Sequence, residues 1–149
     1  MAEQNFKNHS RYVPLYHFVT STALVALIVG SCINFFESCS SYSATGGGGI
    51  YSASLICLMS LVLTLVWFFA RSFALKAQDR AIRAEENLRH FIATGKALDS
   101  RLRIGQIIAL RFAGDNEFVD LAKQAADENL SGKQIKMAIK NWKADFNRM

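Results

Sequence analysis

Two apolar runs, residues 13–36 and 50–70, contain no Asp, Glu, Lys or Arg. At ~1.5 Å of rise per residue they extend roughly 36 and 31 Å as helices, against a hydrocarbon core of about 30 Å. Lipid offers no hydrogen bonds to an open backbone, so such runs are expected to cross it as helices. The expected architecture is an all-α membrane protein: a two-helix transmembrane hairpin whose second helix extends into the cytoplasm, followed by a small cytoplasmic bundle of short helices. The implied division is a cytoplasmic N-terminal segment (1–12), transmembrane helix 1 (13–36), an outer flexible loop (37–49), transmembrane helix 2 (50–70) and a cytoplasmic helical domain (71–149).

The basic residues are sorted by position. Lys7 and Arg11 precede the first run, the other 15 of the 17 Lys and Arg follow the second, and residues 37–49 have none. The positive-inside rule then puts both termini in the cytoplasm and the connection outside. Anionic lipid headgroups on the cytoplasmic side are the expected surface partner of that charge, at ~1 kcal/mol per basic residue near the surface. Nucleic acid is the weaker alternative. The stretch Val29-Gly30-Ser31-Cys32 also fits a lipoprotein cleavage box, which would place a lipid on Cys32. The apolar run is longer than the ~7 to 15 residues of a signal core, which favours a span. Cys32, Cys39 and Cys57 leave both a disulfide and simple packing roles open.

Along the first run Pro14 suits a helix start, because its missing N–H needs no partner there. Thr22, Ala26, Gly30 and Asn34 recur every four residues, and Ala53, Cys57, Ser60 and Thr64 form a counterpart on the second run. Small residues let helix backbones approach in lipid, so these stripes predict hairpin packing, with a pore lining as the alternative. Residues 37–49, small, polar and ending in four glycines, are expected to be a flexible tether. No glycine or proline interrupts residues 50–94, so one helix on the order of 65 Å long is expected. Along it Ala70, Ala74, Ala77, Ala81, Ala84, Leu88 and Phe91 form a heptad seam for another helix, either in a second copy or in the chain's own C-terminal segment.

Beyond Gly95 three shorter amphipathic helices are expected. Leu98, Leu102, Ile108 and Phe112 line the first; Asp115 or Asn116 caps the second, whose apolar face is Phe118, Leu121, Ala122 and Ala125. Ser131 and Gln134 form a capping box for the third, which would bury Ile135, Ala138, Ile139, Trp142 and Phe146. Its other face would carry Lys133, Lys136, Lys140 and Lys143, a basic stripe suited to solvent, to anionic lipid or to an acidic partner.

Chemistry-bearing constellations are not evident. His9, His17 and His90 are scattered, and no cysteine pair has zinc-site spacing. No serine sits in a nucleophile elbow, and Gly46 to Gly49 lacks the Lys-Ser/Thr of a phosphate loop. Glu85-Glu86 and the acids from Asp115 to Asp120 read as solvated faces and helix N-termini. Residues 121–142 are faintly similar to a helix-turn-helix, yet their evenly spaced lysines suit phosphates rather than base edges. No catalytic residue, metal site or cofactor is expected.

Several phrases together resemble a known family: Gln4-Asn5-Phe6-Lys7-Asn8-His9; Arg89-His90-Phe91 through Thr94-Gly95-Lys96 and Leu98-Asp99-Ser100-Arg101-Leu102; Gln106-Ile107-Ile108-Ala109-Leu110-Arg111-Phe112-Ala113; and Ile135-Lys136 with Ala138-Ile139-Lys140-Asn141-Trp142. They are similar to a group of small bacterial two-span membrane proteins classed as a domain of unknown function. The resemblance implies a bacterial inner-membrane location and a complete chain of this length, and no activity. The resulting expectation is a non-enzymatic inner-membrane scaffold, accessory subunit or self-associating component, as a homo-oligomer or part of a larger membrane complex. The alternative is a small homo-oligomeric ion channel formed by the hairpin.

Overall fold

The computed structural model describes residues 5–6, 12–45 and 49–145, so Lys7, His9, Arg11 and Phe146 lie outside the described residues. Those residues are all-helical: α1 (Ser21–Thr45), α2 (Ile50–Thr94), α3 (Ile104–Leu110), α4 (Asp115–Asp127) and α5 (Gly132–Ala138), with a π-helical lead-in at Leu15–Thr20. The chain divides into two compact units, Tyr12–Phe73 and Ala74–Met149, the latter with Met1–Arg11.

Two helices are long and apolar enough to cross a membrane by length and composition, Leu15–Ala44 and α2, and the unit Tyr12–Phe73 holds the first of them and the part of α2 up to Phe73. The π-helical turn keeps the Thr20 and Ser21 hydroxyls on the carbonyls of Leu15 and Tyr16, five residues back, at 2.9 and 3.2 Å. Tyr16 stacks on Trp67 with ring centroids 5.3 Å apart, and its hydroxyl donates to the Trp67 carbonyl at 3.0 Å. Further along, Ser31 and Ser60 are buried with their Oγ atoms 3.1 Å apart. Residues 37–45 are helical, which corrects the expected flexible tether over those positions; Gly46 to Gly48 lie outside the described residues. Nothing between Phe36 and Thr45 breaks a helix, and α1 ends where the four glycines begin.

In the unit beginning at Ala74 the core is built from Ile82 of α2, Leu102, Ile107, Leu110 and Phe112 around α3, Phe118, Leu121 and Ala125 of α4, and Ile135 of α5. Gly95, at φ +71°, ends α2 in the left-handed conformation that glycine adopts without cost, and its N–H donates to the Phe91 carbonyl at 2.7 Å. Asn129, at φ 50°, does the same for α4, with the Leu130 N–H reaching back to the Ala125 carbonyl at 3.2 Å. The face expected on α4 is buried, and Ser131 and Gln134 form the expected capping box, with the Ser131 Oγ accepting from the Gln134 N–H. The residue capping α4 is Gly114, however, and Asp115 occupies its first turn.

Two of the expected short helices are shorter than their periodicity suggests. Leu98 and Leu102 precede α3 yet still pack on the core, because α3 covers only Ile104–Leu110. The chain leaves α5 after Ala138, with extended backbone at Ile139, so Ala138 is exposed while Ile139 is buried. Trp142 then forms an antiparallel bridge with Ala113, flanked by Gly114 N–H to Asn141 O and Lys143 N–H to Phe112 O, both 2.8 Å. Trp142 therefore meets the core from an extended segment, its ring 5.2 Å from that of Phe112. The tight pairing leaves no room beside Gly114, where an added Cβ would lie 2.8 Å from Asn116 Oδ1 and 3.0 Å from the Asn141 carbonyl oxygen. Gly114→Ala is expected to cost ~1 to 3 kcal/mol in thermal unfolding, since both neighbours must shift.

Candidate functional site

The densest charged cluster is in the helical unit, and α2 places its first members. Glu86 and Arg89, one turn apart, have side chains only 11% and 14% exposed and pair at 3.0 Å. Arg89 also donates from Nε to Asp115 at 2.7 Å and from a terminal nitrogen to the Ala113 carbonyl at 2.7 Å, while its guanidinium carbon sits 4.1 Å from the centre of the Phe118 ring. One planar cation thus joins α2, the bridge at Ala113 and the start of α4, a task suited to guanidinium geometry. Beside it Arg111, 7% exposed at the side chain, pairs with Asp145 at 3.1 Å. These groups border a cleft of about 550 Å³ lined by Gln78, Ile82, Glu85, Glu86, Arg111 and Lys143 among others.

The arrangement binds the unit together through its ion pairs. The Arg89 hydrogen bond and positive charge hold the Asp115 carboxyl below its ordinary value of 3.8, and Arg101 does the same for exposed Asp99. Both groups have folded-state pKa values depressed below those of the unfolded chain. Their stabilising contribution is therefore complete above about pH 4 and is lost as pH falls through the lowered values. Acid titration followed by circular dichroism should show the helical unit weakening below about pH 4, and Asp115→Asn should make that decline shallower.

Glu86 is buried, which corrects its reading as part of a solvated pair; Glu85 is exposed. The glutamate survives burial because its i+3 neighbour is Arg89. Gln106 is a second buried polar residue that periodicity passes over. Its Oε1 accepts from the Arg103 N–H, and its Nε2 donates to the carbonyls of Leu130 and Ala125, tying α3 to the end of α4. Glu117 accepts the N–H groups of Lys140 and Asn141, holding the extended C-terminal segment.

The stripes and seam fall as follows. Ala53 and Ser60 are buried and Cys57 and Thr64 half-buried, so the stripe on α2 faces inward within its unit. Thr22, Ala26, Gly30 and Asn34 are exposed, and the inward residues of α1 include Leu24, Ile28, Ser31, Ser38 and Cys39. The correction is geometric: a strict four-residue step drifts about 40° per step around a helix, whereas spacings of three and four hold one face. A groove of about 420 Å³ in the same unit is lined by Ile28, Cys32, Phe35, Cys57 and Leu61 among others. On the seam, Ala74 is half-buried and Ala70, Ala77, Ala81, Ala84, Leu88 and Phe91 are exposed, so the chain's own C-terminal helices pack on a different face of α2.

The basic stripe is not one helix face, because α5 ends before Lys140 and Lys143. Lys133 is exposed, Lys136 holds its ammonium 5.5 Å from the Phe112 ring centre, and Lys143 approaches Asp115 at 3.8 Å. Among the described residues no group of three or more His, Cys, Asp or Glu could hold a metal ion.

No curated protein and no solved structure matches the chain. A family model matches residues 1–149 in full, and the chain belongs to that family of unknown function, DUF6526.

Proposed function

We propose that the chain is an integral protein of a bacterial inner membrane, without enzymatic activity, that holds a small helical unit at the cytoplasmic face as a scaffold, accessory subunit or self-associating component. The observation that carries this is the exposure of the two apolar helices: only 6% and 11% of their most apolar stretches are buried within the chain. Apolar surface on that scale needs a cover that water cannot supply, and lipid or neighbouring helices provide one. The pairing of Arg89 with Glu86 and Asp115, and of Arg111 with Asp145, supports a structural rather than a chemical task for the charged cluster.

Topology tests the reading directly. On whole cells an impermeant thiol reagent should label Cys39, and a cysteine introduced at Ser131 in a variant lacking native cysteines should stay protected until the membrane is opened. Labelling in the opposite pattern overturns the orientation, and extraction of the chain by alkaline wash overturns the anchoring. The hydroxyls of Ser54, Ser60 and Thr64 donate to carbonyls of their own helix at 2.7 to 2.8 Å, which supports packing over a pore. Ion flux from liposomes that tracks Ser60→Ala would reverse that preference.

A further inference from the structure

Within the helical unit, α2 presents two unlike faces. Ile82 and Glu86 are buried, whereas Ala77, Ala81, Ala84, Leu88 and Phe91 are exposed. Ala84 lies two residues from each of the buried pair, about 200° away around the helix, so the exposed row is opposite the packed one. Large apolar side chains stand open along it: Leu88 is 58% exposed, Phe91 54% and Ile92 76%.

The residues flanking this row specify an occupant. In heptad terms Ala74, Ala81 and Leu88 take one core position and Ala77, Ala84 and Phe91 the other. Arg80 and Asn87 then precede the first kind, while Gln78, Glu85 and Ile92 follow the second. In a parallel two-stranded coil, a residue of the first flank faces the residue five positions later on its neighbour's other flank. Arg80 therefore meets Glu85, and the two-fold relation makes the pairing twice. An antiparallel coil sets like flanks together, offering Arg80 only arginine or asparagine and Glu85 only glutamate, glutamine or isoleucine. Both Arg80 and Glu85 are exposed.

We propose that α2 pairs in parallel with α2 of a second copy along Ala74, Ala77, Ala81, Ala84, Leu88 and Phe91, with Arg80 of each copy donating to Glu85 of the other. This rests on the membrane-anchored reading above, because two copies inserted in the same sense bring their α2 helices together in parallel. Alanine allows the backbones to approach closely, and Leu88 and Phe91 fill the interface toward the end of α2. Confinement to one bilayer raises the local concentration enough for so short a seam to pair.

Single cysteines in the full chain test this, with Cys32, Cys39 and Cys57 changed to serine and oxidation carried out in intact membranes. Ala81→Cys and Leu88→Cys should each cross-link to themselves as dimers, and Arg83→Cys, off the seam, should not. An antiparallel pair would cross-link at one seam position at most, and cross-linking equal at Arg83 would mean random collision; either overturns the proposal. In the Leu88→Cys background, Arg80→Glu and Glu85→Arg should each lower the dimer yield about tenfold, and the two exchanged together should restore it. Absence of that rescue overturns the Arg80–Glu85 pairing. An alkaline wash separates the two levels. A chain that stays in the membrane without cross-linking overturns the pairing alone, whereas one that washes out overturns the anchoring on which the parallel sense depends.

Discussion

Arg89→Ala is expected to lower the stability of the helical unit by ~3 to 5 kcal/mol, because it leaves the Glu86 carboxylate buried without its counter-charge. The Glu86 side chain is only 11% exposed, so water cannot easily replace the lost partner. The Ala113 carbonyl would lose a 2.7 Å hydrogen bond and the Phe118 ring its stacked guanidinium in the same step. The Asp115 pair adds little to this sum, since that carboxylate is 79% exposed and exposed pairs contribute ~1 kcal/mol at most. Urea unfolding followed by circular dichroism measures the change. Arg89→Lys should recover only part of it, for an ammonium cannot reach Glu86, Asp115 and the Ala113 carbonyl in one plane. Adding Glu86→Gln to Arg89→Ala should recover more, because the uncompensated charge is then gone. A single variant within about 1 kcal/mol of the parent would mean that water enters the cleft and solvates Glu86.

The long helices are legible in the chain because length and apolarity alone define them: nothing between Ile50 and Thr94 is glycine or proline, and Gly95 stops α2 in a conformation other residues avoid. The same holds for α4, where Phe118, Leu121, Ala122 and Ala125 share one helical face, and for the Ser131–Gln134 cap, whose geometry depends on four consecutive residues. Local signals fail where a tertiary contact competes with helix continuation. Residues 139–142 have helical periodicity, but antiparallel pairing with Ala113 and the carboxylate of Glu117 draw them into extended backbone. The inward face of α1 is illegible for a different reason: in a helix apolar all round, residues turned to a neighbour and residues turned to lipid do not differ in polarity. Ser31 finds Ser60 across the hairpin, and no spacing rule distinguishes it from Ser40 or Ser41.

The charged cluster was half visible. A glutamate and an arginine three apart on a helix can pair in sequence terms alone. Their burial follows only from the position of α4, which brings Phe118 and Asp115 to Arg89. Gln106 gives no such hint, since its partners, the carbonyls of Ala125 and Leu130, are backbone groups exposed by the end of α4. The seam on α2 is the opposite case. Its period is plain in the sequence, while the fold supplies the fact that the bundle occupies another face.

Phe112→Ala should cost ~3 to 5 kcal/mol, the usual range for deleting a buried aromatic ring. Phe112 is fully buried, and it joins three parts of the unit: the turn after α3, the extended segment at Trp142, and Lys136 of α5. A helical unit of this size has ~4 to 11 kcal/mol of stability in all, so the loss would take roughly a quarter of it or more. Trp142→Ala should cost less, although tryptophan is the larger side chain, because Trp142 is only half-buried and is located in part by the backbone bonds at Gly114 and Lys143. That order is the discriminating result. A helix continuing through residues 139–146 would make Trp142 the anchor and reverse it. In a Trp67→Phe background, urea unfolding followed by Trp142 fluorescence measures the Phe112 variant, and circular dichroism compares both. The Phe112–Trp142 contact is counted in both losses, so the double variant should cost less than the sum of the two.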